Sequence, residues 1–204
     1  MVNNRPESLA NWRVTTGDPE VAGAIAQLMG GTPEAWETAK DDCLEVLTTT
    51  SSVQIVVDGT KAINARMILW GRSGPPHECD GVEFLSPEKD KGTPCGCPRL
   101  LAERKVSARS GRGPQPNVTV SFRLAEDYDL GIGKFTSTSW DFASVLHEIE
   151  NDLDRVGGEA LCTLSLELVQ FTTSSGQNVE YRKPVIKVLS SPDPGSWAPE
   201  TLGS

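Results

Sequence analysis

The stretch NVTVSFRL, residues 117 to 124, decides how the rest of the chain is read. Val118, Val120, Phe122 and Leu124 alternate with Asn117, Thr119, Ser121 and Arg123, the period of two that puts every second side chain on one face of a β-strand. A strand with one apolar face needs a covering layer, and the sequence downstream offers a candidate. In STSWDFASVLHEIENDLDRVGG, residues 137 to 158, Phe142, Leu146, Ile149, Leu153 and Val156 recur at spacings of four and three until Gly157-Gly158 ends the pattern, which predicts an amphipathic helix. The acids Glu148, Glu150, Asp152 and Asp154 fall mostly off that stripe, as a solvated face would have them.

Further out, LCTLSLELVQFTTSSGQNVEYRKPVIKVL, residues 161 to 189, predicts two long strands around a turn at TSSGQN. Its apolar parity shifts at Leu168-Val169 and around Pro184, which suggests bulges or an edge position. Upstream, GDPEVAGAIAQLMGG, residues 17 to 31, reads as a helix capped by Asp18, opened by Pro19, packed through Val21, Ile25 and Leu28, and stopped by Gly30-Gly31. LEVLTTTSSVQIVVDG, residues 44 to 59, reads as a strand pair around TTSS, with Val53, Ile55 and Val57 alternating against Gln54 and Val56. AINARMILWG, residues 62 to 71, adds a further apolar run, and RLLAERKVSARSGRGPQP, residues 99 to 116, is helical as far as Arg109 before Gly111, Gly113, Pro114 and Pro116 prevent continuation.

The expected fold class is therefore α+β: antiparallel strands with two or three helices and an irregular, metal-stapled loop. The expected organisation is a single domain over residues 1–190, with the loop at 74–98 and a Pro-, Gly- and Ser-rich tail at 191–204 read as disordered. A chain of 204 residues with 37% hydrophobic and 23% charged residues is long enough for one well-buried core, and its 19 glycines and 14 prolines imply many turns. MVNNRPESLANW lacks the basic start and apolar centre of a signal peptide, and no run approaches the roughly 18 apolar residues of a spanning helix. A soluble cytoplasmic protein is expected, with no membrane contact. In a reducing compartment its five cysteines, an odd number, are expected as thiols or metal ligands rather than a disulfide framework.

The loop segment GPPHECDGVEFLSPEKDKGTPCGCPRL, residues 74 to 100, holds His77, Cys79, Cys95 and Cys97. One imidazole and three thiolates are the donor set of a closed structural zinc site, and Pro75, Pro76, Pro94, Gly96 and Pro98 shape the turns around it. One-residue spacing within each pair is less diagnostic than Cys-x-x-Cys, and the alternative is a set of ordinary reduced thiols. The intervening DGVEFLSPEKDKGTP has little apolar content to hold such a loop in place, which favours zinc as a structural cofactor. Such an ion is a staple, contributing on the order of 10 kcal/mol to folding, and a closed ligand set leaves no open position for metal catalysis.

Other chemical motifs fail on inspection. HEIEN, residues 147 to 151, starts like H-E-x-x-H but has Asn151 where the second histidine must stand. GRSGPP is neither a G-x-S-x-G elbow nor a phosphate loop, and SGRGPQP lacks the lysine and hydroxyl of a Walker loop. His147 is expected on the surface or in packing, Cys43 and Cys162 as buried small hydrophobes, Trp12, Trp36, Trp70 and Trp140 as core anchors, and Trp197 as exposed in the tail. No enzymatic activity and no small-molecule substrate are expected.

The formal net charge of −9 argues against broad attraction to nucleic acid, yet residues 98 to 124 carry six basic residues against Glu103, a net +5 that leaves −14 for the remainder. Arg104, Lys105, Arg109 and Arg112 in this strip are candidate contacts for nucleic acid phosphates or an acidic partner surface. The alternative is a solvated helix whose basic residues favour its C-terminal dipole.

WRVTTGDPEVA (12–22), LEVLT (44–48), MILWGRSGPPHECDGVEFLSPEKDKGTPCGCP (67–98), GRGPQP (111–116), FRLAED (122–127) and EYRKPVIKV (180–188) together resemble the recombination directionality factors of actinobacterial phages and prophages, which work with large serine integrases. The resemblance implies a regulatory protein of the host bacterial cytoplasm. Such a factor binds the cognate large serine integrase, favours synapsis of attL with attR over attP with attB, and meets DNA only indirectly through the integrase complex. The integrase supplies the nucleophilic serine. A reading from another class is a single-stranded nucleic-acid-binding accessory protein of phage replication, using the basic strip and exposed aromatic residues. A zinc-dependent hydrolase is disfavoured by the closed ligand set.

Overall fold

The computed structural model describes residues 9–38 and 41–191. The tail expected to be disordered, with Trp197, lies outside the described residues from position 192 onward. In chain order the elements are β1 (Arg13–Thr16), α1 (Pro19–Met29), β2 (Pro33–Ala35), β3 (Leu44–Leu47), β4 (Ser52–Asp58), β5 (Ile63–Gly71), β6 (Gly74–Cys79), β7 (Phe84–Ser86), α2 (Leu101–Arg109), β8 (Gln115–Leu124), β9 (Gly133–Ser137), α3 (Trp140–Val156), β10 (Glu159–Thr172) and β11 (Asn178–Ser190). Among the described residues, three α-helices with mostly antiparallel sheets make the fold class α+β, as the patterning predicts. Among the described residues no helix is long and apolar enough to cross a membrane. The residues group into two compact units: one takes the chain up to Val57, Arg123–Gly133 and the part from Glu159 onward, the other Asp58–Phe122 and Lys134–Gly158.

In the first unit, β1, β3 and β2 form a three-stranded antiparallel sheet, order β1-β3-β2. Arg13 ties it together, with Nε 2.6 Å from Glu45 Oε2 and its guanidinium 4.1 Å over the Trp36 ring. Helix α1 starts as predicted, Asp18 Oδ1 accepting the Glu20 N–H at 2.8 Å with Pro19 in the first turn. Its buried face is Ala22, Ile25 and Met29, however, so Val21 and Leu28 are only half-buried. A Cβ on Gly31 would lie 2.2 Å from the Leu47 carbonyl oxygen, so the chain leaves the helix tight against β3 at a residue without a side chain.

The runs at 44–47 and 52–58 are both strands, but they do not pair with each other. β3 goes to β1 and β2, whereas β4 lies between β10 and β8. The threonines between them serve as a connector instead of a hairpin turn: Thr48 Oγ1 donates to Thr50 O at 2.8 Å, Thr50 Oγ1 to Ser52 O at 2.8 Å, and the Thr49 N–H to Met29 O at 3.0 Å. On β4, Ile55, Val56 and Val57 are all buried, as expected for a central strand rather than the alternation read from the sequence. β10 and β11 form the predicted hairpin, closed by Thr173–Gln177 with Gly176 at φ +79°. Its one irregularity falls between Leu161 and Cys162, and the register runs unbroken past Leu168-Val169 and Pro184, so no bulge sits where the parity shifts. β11 is at the end of the strand order, where the missing N–H of Pro184 is tolerated. Cys162 is fully buried as expected, but Cys43 is exposed, because it lies in the approach to β3 and not on an apolar face.

In the second unit β8 is the centre, with β5 along one side from Ile63↔Val120 to Ile68↔Gln115, β6 on β5, β7 on β6, and β9 also paired with β8. Val118 and Val120 are buried, and Phe122 is half-buried. Helix α3 has the predicted stripe, with Phe142, Leu146, Ile149 and Leu153 buried and Val156 half-buried. Ser139 caps it by accepting the Phe142 N–H at 3.2 Å, and Gly157 ends it in the left-handed conformation at φ +74°. Trp70 is not a core anchor: it is 66% exposed, one residue short of the end of β5, where the strand runs past the covered core into the Gly71–Gly74 turn.

Leu153→Ala should destabilise the protein by about 2–5 kcal/mol through the lost apolar burial and the cavity left behind. His147→Ala, on the same helix but exposed, should shift stability by less than about 0.5 kcal/mol. Urea unfolding with unchanged m-values checks both.

Candidate metal centre

The segment expected to be irregular contains two strands, and they place the first pair of donors. His77 and Cys79 are two residues apart on β6, so both side chains leave the same face. Pairing with β5 sets them opposite Leu69 and Met67. The chain then reverses at Cys79-Asp80-Gly81, where Asp80 Oδ1 accepts the N–H groups of Val82 at 2.7 Å and Glu83 at 2.9 Å. Those bonds, first from Glu83 and then from Val82, hold the Asp80 carboxyl below the usual carboxylate range.

The second pair returns by short backbone bonds. The Phe84 N–H donates to Thr93 O at 2.9 Å, the Gly92 N–H to Phe84 O at 2.9 Å, and the Cys95 N–H to Val82 O at 2.9 Å. Gly96 takes φ +69° between Cys95 and Cys97, a conformation that a residue with a Cβ rarely adopts. A Cys-Gly-Cys segment can thereby turn both sulfurs to one side.

All four donor atoms, from His77, Cys79, Cys95 and Cys97, lie within 4.8 Å of one another, and among the described residues this is the one such group that could hold a metal ion. The Cys79 and Cys97 sulfurs are 3.7 Å apart, and His77 Nε2 is 3.5 Å from Cys97 Sγ and 3.2 Å from Cys79 Sγ. A tetrahedral ion with ~2.3 Å bonds to sulfur and ~2.0 Å bonds to nitrogen separates its donors by about 3.8 Å and about 3.5 Å along those edges. The residues present therefore fit a four-coordinate metal, the His77–Cys79 edge being the tightest.

The surroundings are apolar. Met67, Cys79 and Cys95 form one buried cluster, with Phe84, Cys97 and Trp140 packed against it. The His77 and Phe84 rings are 4.5 Å apart. Burial pushes the Cys79 and Cys97 thiols up and the His77 imidazole below its ordinary value. The neutral imidazole is the ligating form. Thiolates in this setting need a counter-charge close by, which a divalent cation supplies.

The basic strip divides. Arg104 is turned inward: its Nε donates to Pro98 O at 2.5 Å and its Nη2 to Gly81 O at 2.9 Å, so one guanidinium clasps the turn after Cys79 and the turn after Cys97. Gly81 sits in that turn at φ +98°, a conformation that side-chain-bearing residues rarely adopt. Lys105 pairs with Asp141 at 3.8 Å. Arg109 and Arg112 are exposed, Arg112 Nε donating to Ser110 Oγ at 3.3 Å. Charge pattern alone does not distinguish an inward arginine from an outward one. The Asp80-Gly81 turn, by contrast, is visible as Cys-Asp-Gly.

Native mass spectrometry should find one divalent ion per chain, lost in a Cys95→Ser, Cys97→Ser variant that also melts at lower temperature.

No solved structure matches the chain. The model of the Gp3-like family, described as recombination directionality factor-like, matches residues 2–189, nearly the whole sequence, and the chain belongs to that family.

Proposed function

We propose that the protein is a recombination directionality factor that binds its cognate large serine integrase and switches it from integration, attP with attB, to excision, attL with attR. The family match over residues 2–189 carries this reading. The factor is non-catalytic: the integrase breaks and rejoins the strands, and this chain biases which pair of sites is brought together. It meets DNA indirectly, within the integrase complex, in the cytoplasm of the bacterial host. A coupling of only ~1–3 kcal/mol between binding and synaptic geometry changes the preferred reaction by about one to two orders of magnitude.

The metal in this reading is zinc, in a structural role. Three thiolates and one imidazole suit it, and a four-ligand protein set closes the coordination shell. When bound, the ion supplies charge compensation for the buried thiolates and a covalent-strength clamp. The chain's own residues do the rest: β6 aligns the first two donors, Gly96 turns the second two, and Arg104 fixes both turns. In this reading the exposed Arg109 and Arg112 are the proposed partner contacts of the strip, Lys105 lies beside Asp141, and Arg104 is turned inward onto two carbonyl groups.

Exposure of Trp70 near Arg72 supports the competing reading, a protein that binds single-stranded nucleic acid. Salt-sensitive binding to an oligonucleotide in the absence of integrase would favour it.

The deciding experiment is recombination in vitro with the integrase of the same phage or prophage. Excision should appear only with this protein present, with integration suppressed. An active integrase indifferent to the protein in both reactions refutes the role. Arg109→Ala with Arg112→Ala should slow association and weaken its salt dependence, with metal content unchanged, as measured by surface plasmon resonance.

A further inference from the structure

Helix α2 has little of its own to hold it. Its nine residues bury only Ala108, and Leu100, at its N-cap, makes no side-chain bond to the N–H groups of the first turn. A helix of that length is marginal in water by itself. Its far end is tied by the chain that follows, the Arg112 and Gly113 N–H groups donating to Ser107 O at 3.2 and 3.1 Å. Its beginning is tied by the Arg104 side chain, through Pro98 O and Gly81 O. The Lys105–Asp141 pair, at 3.8 Å with both side chains well exposed, adds little.

The two carbonyls that Arg104 holds belong to the metal centre. Gly81 follows Cys79 by two residues and Pro98 follows Cys97 by one, so a single guanidinium spans one turn from each donor pair. Those carbonyls move with the backbone that carries the sulfurs, and a planar fork of donors fixes their separation and direction together. Charge works in the same sense. A divalent ion held by three thiolates and a neutral imidazole carries an excess negative charge. The Arg104 guanidinium is a positive charge that acts on Cys97 and on the neighbouring Asp80.

We propose that Arg104 is a positioning residue that couples metal binding to helix α2: it holds the two donor-bearing turns at the spacing the ion needs, and the ion-braced turns in return anchor the first turn of the helix. Such a coupling is reciprocal by thermodynamic necessity, so whatever the ion contributes to the order of the helix, the helix returns as affinity for the ion. The inference rests on the metal reading above and names the residue through which that centre acts on its surroundings.

The test uses the full chain loaded with zinc. Affinity is read by chelator competition, and helix order by hydrogen exchange over Leu101–Arg109. Removing zinc from the wild type should raise exchange across α2 severalfold. Arg104→Gln should weaken zinc binding on the order of ten- to a hundredfold and leave α2 exchanging fast even with zinc bound. Arg104→Lys, which keeps the charge but not the fork, should recover part of the affinity, and it replaces the glutamine variant should that one fail to fold. Arg109→Gln, on the exposed side of the same helix, should bind zinc as the wild type does. A residue that braces the fold alone would lower the stability of zinc-loaded and zinc-free chains equally and leave the affinity unchanged. That result overturns the proposal and leaves the metal centre standing, as does α2 exchange in the wild type that is indifferent to zinc. A wild-type chain that takes up no divalent ion removes the metal centre and this coupling together.

Discussion

The second unit depends on the ladder between β5 and β8. Six consecutive residue pairs, Ile63↔Val120 to Ile68↔Gln115, fix the position of β5, and β5 in turn carries β6 with His77 and Cys79 on it. A one-residue slip in this register would put His77 and Cys79, which travel with β5, on the face opposite Val118 and Val120. The same alternation that buries the valines therefore sets the direction of the first donor pair. Sheet pairing and donor placement are one constraint.

The donor cluster adds its own demand. Bringing three thiols and an imidazole within 4.8 Å in an apolar setting is unfavourable for the ionised sulfurs unless a positive charge joins them, which is the direction in which burial moves Cys79 and Cys97. Arg104 supplies part of the order that such a cluster requires. It does so from outside the donor set, by holding two carbonyl groups that belong to the ligand-bearing turns. Metal donors are rarely held by the ion alone, and partners that orient them matter nearly as much as the ligands.

A rigid contact surface loses less of its binding energy to ordering than a flexible one does. Here Arg104 ties a small helix to the two turns that carry the donors. The arrangement also divides one basic strip, with Arg104 turned inward and Arg109 and Arg112 exposed.

The sequence by itself determined the elements whose signals are local. Period-two alternation marked β8, the spacing of Phe142, Leu146, Ile149 and Leu153 marked α3, and Gly157 marked its end, because each is a property of a few neighbouring residues and the backbone geometry they favour. The four donors were legible for the same reason, as two short pairs of metal-binding residue types. Tertiary structure alone decided which strand lies beside which: β3 and β4, adjacent in sequence, part company because Met29 O and the local threonines satisfy the connection between them. It also decided that Trp70 and Cys43 face solvent and that Ala22 is buried, since a residue's burial follows from what packs on it and not from its own hydrophobicity. And it turned Arg104 inward while leaving Arg109 outside, because the two carbonyls it clasps come from turns 17 residues apart along the chain and are brought together only when His77, Cys79, Cys95 and Cys97 converge.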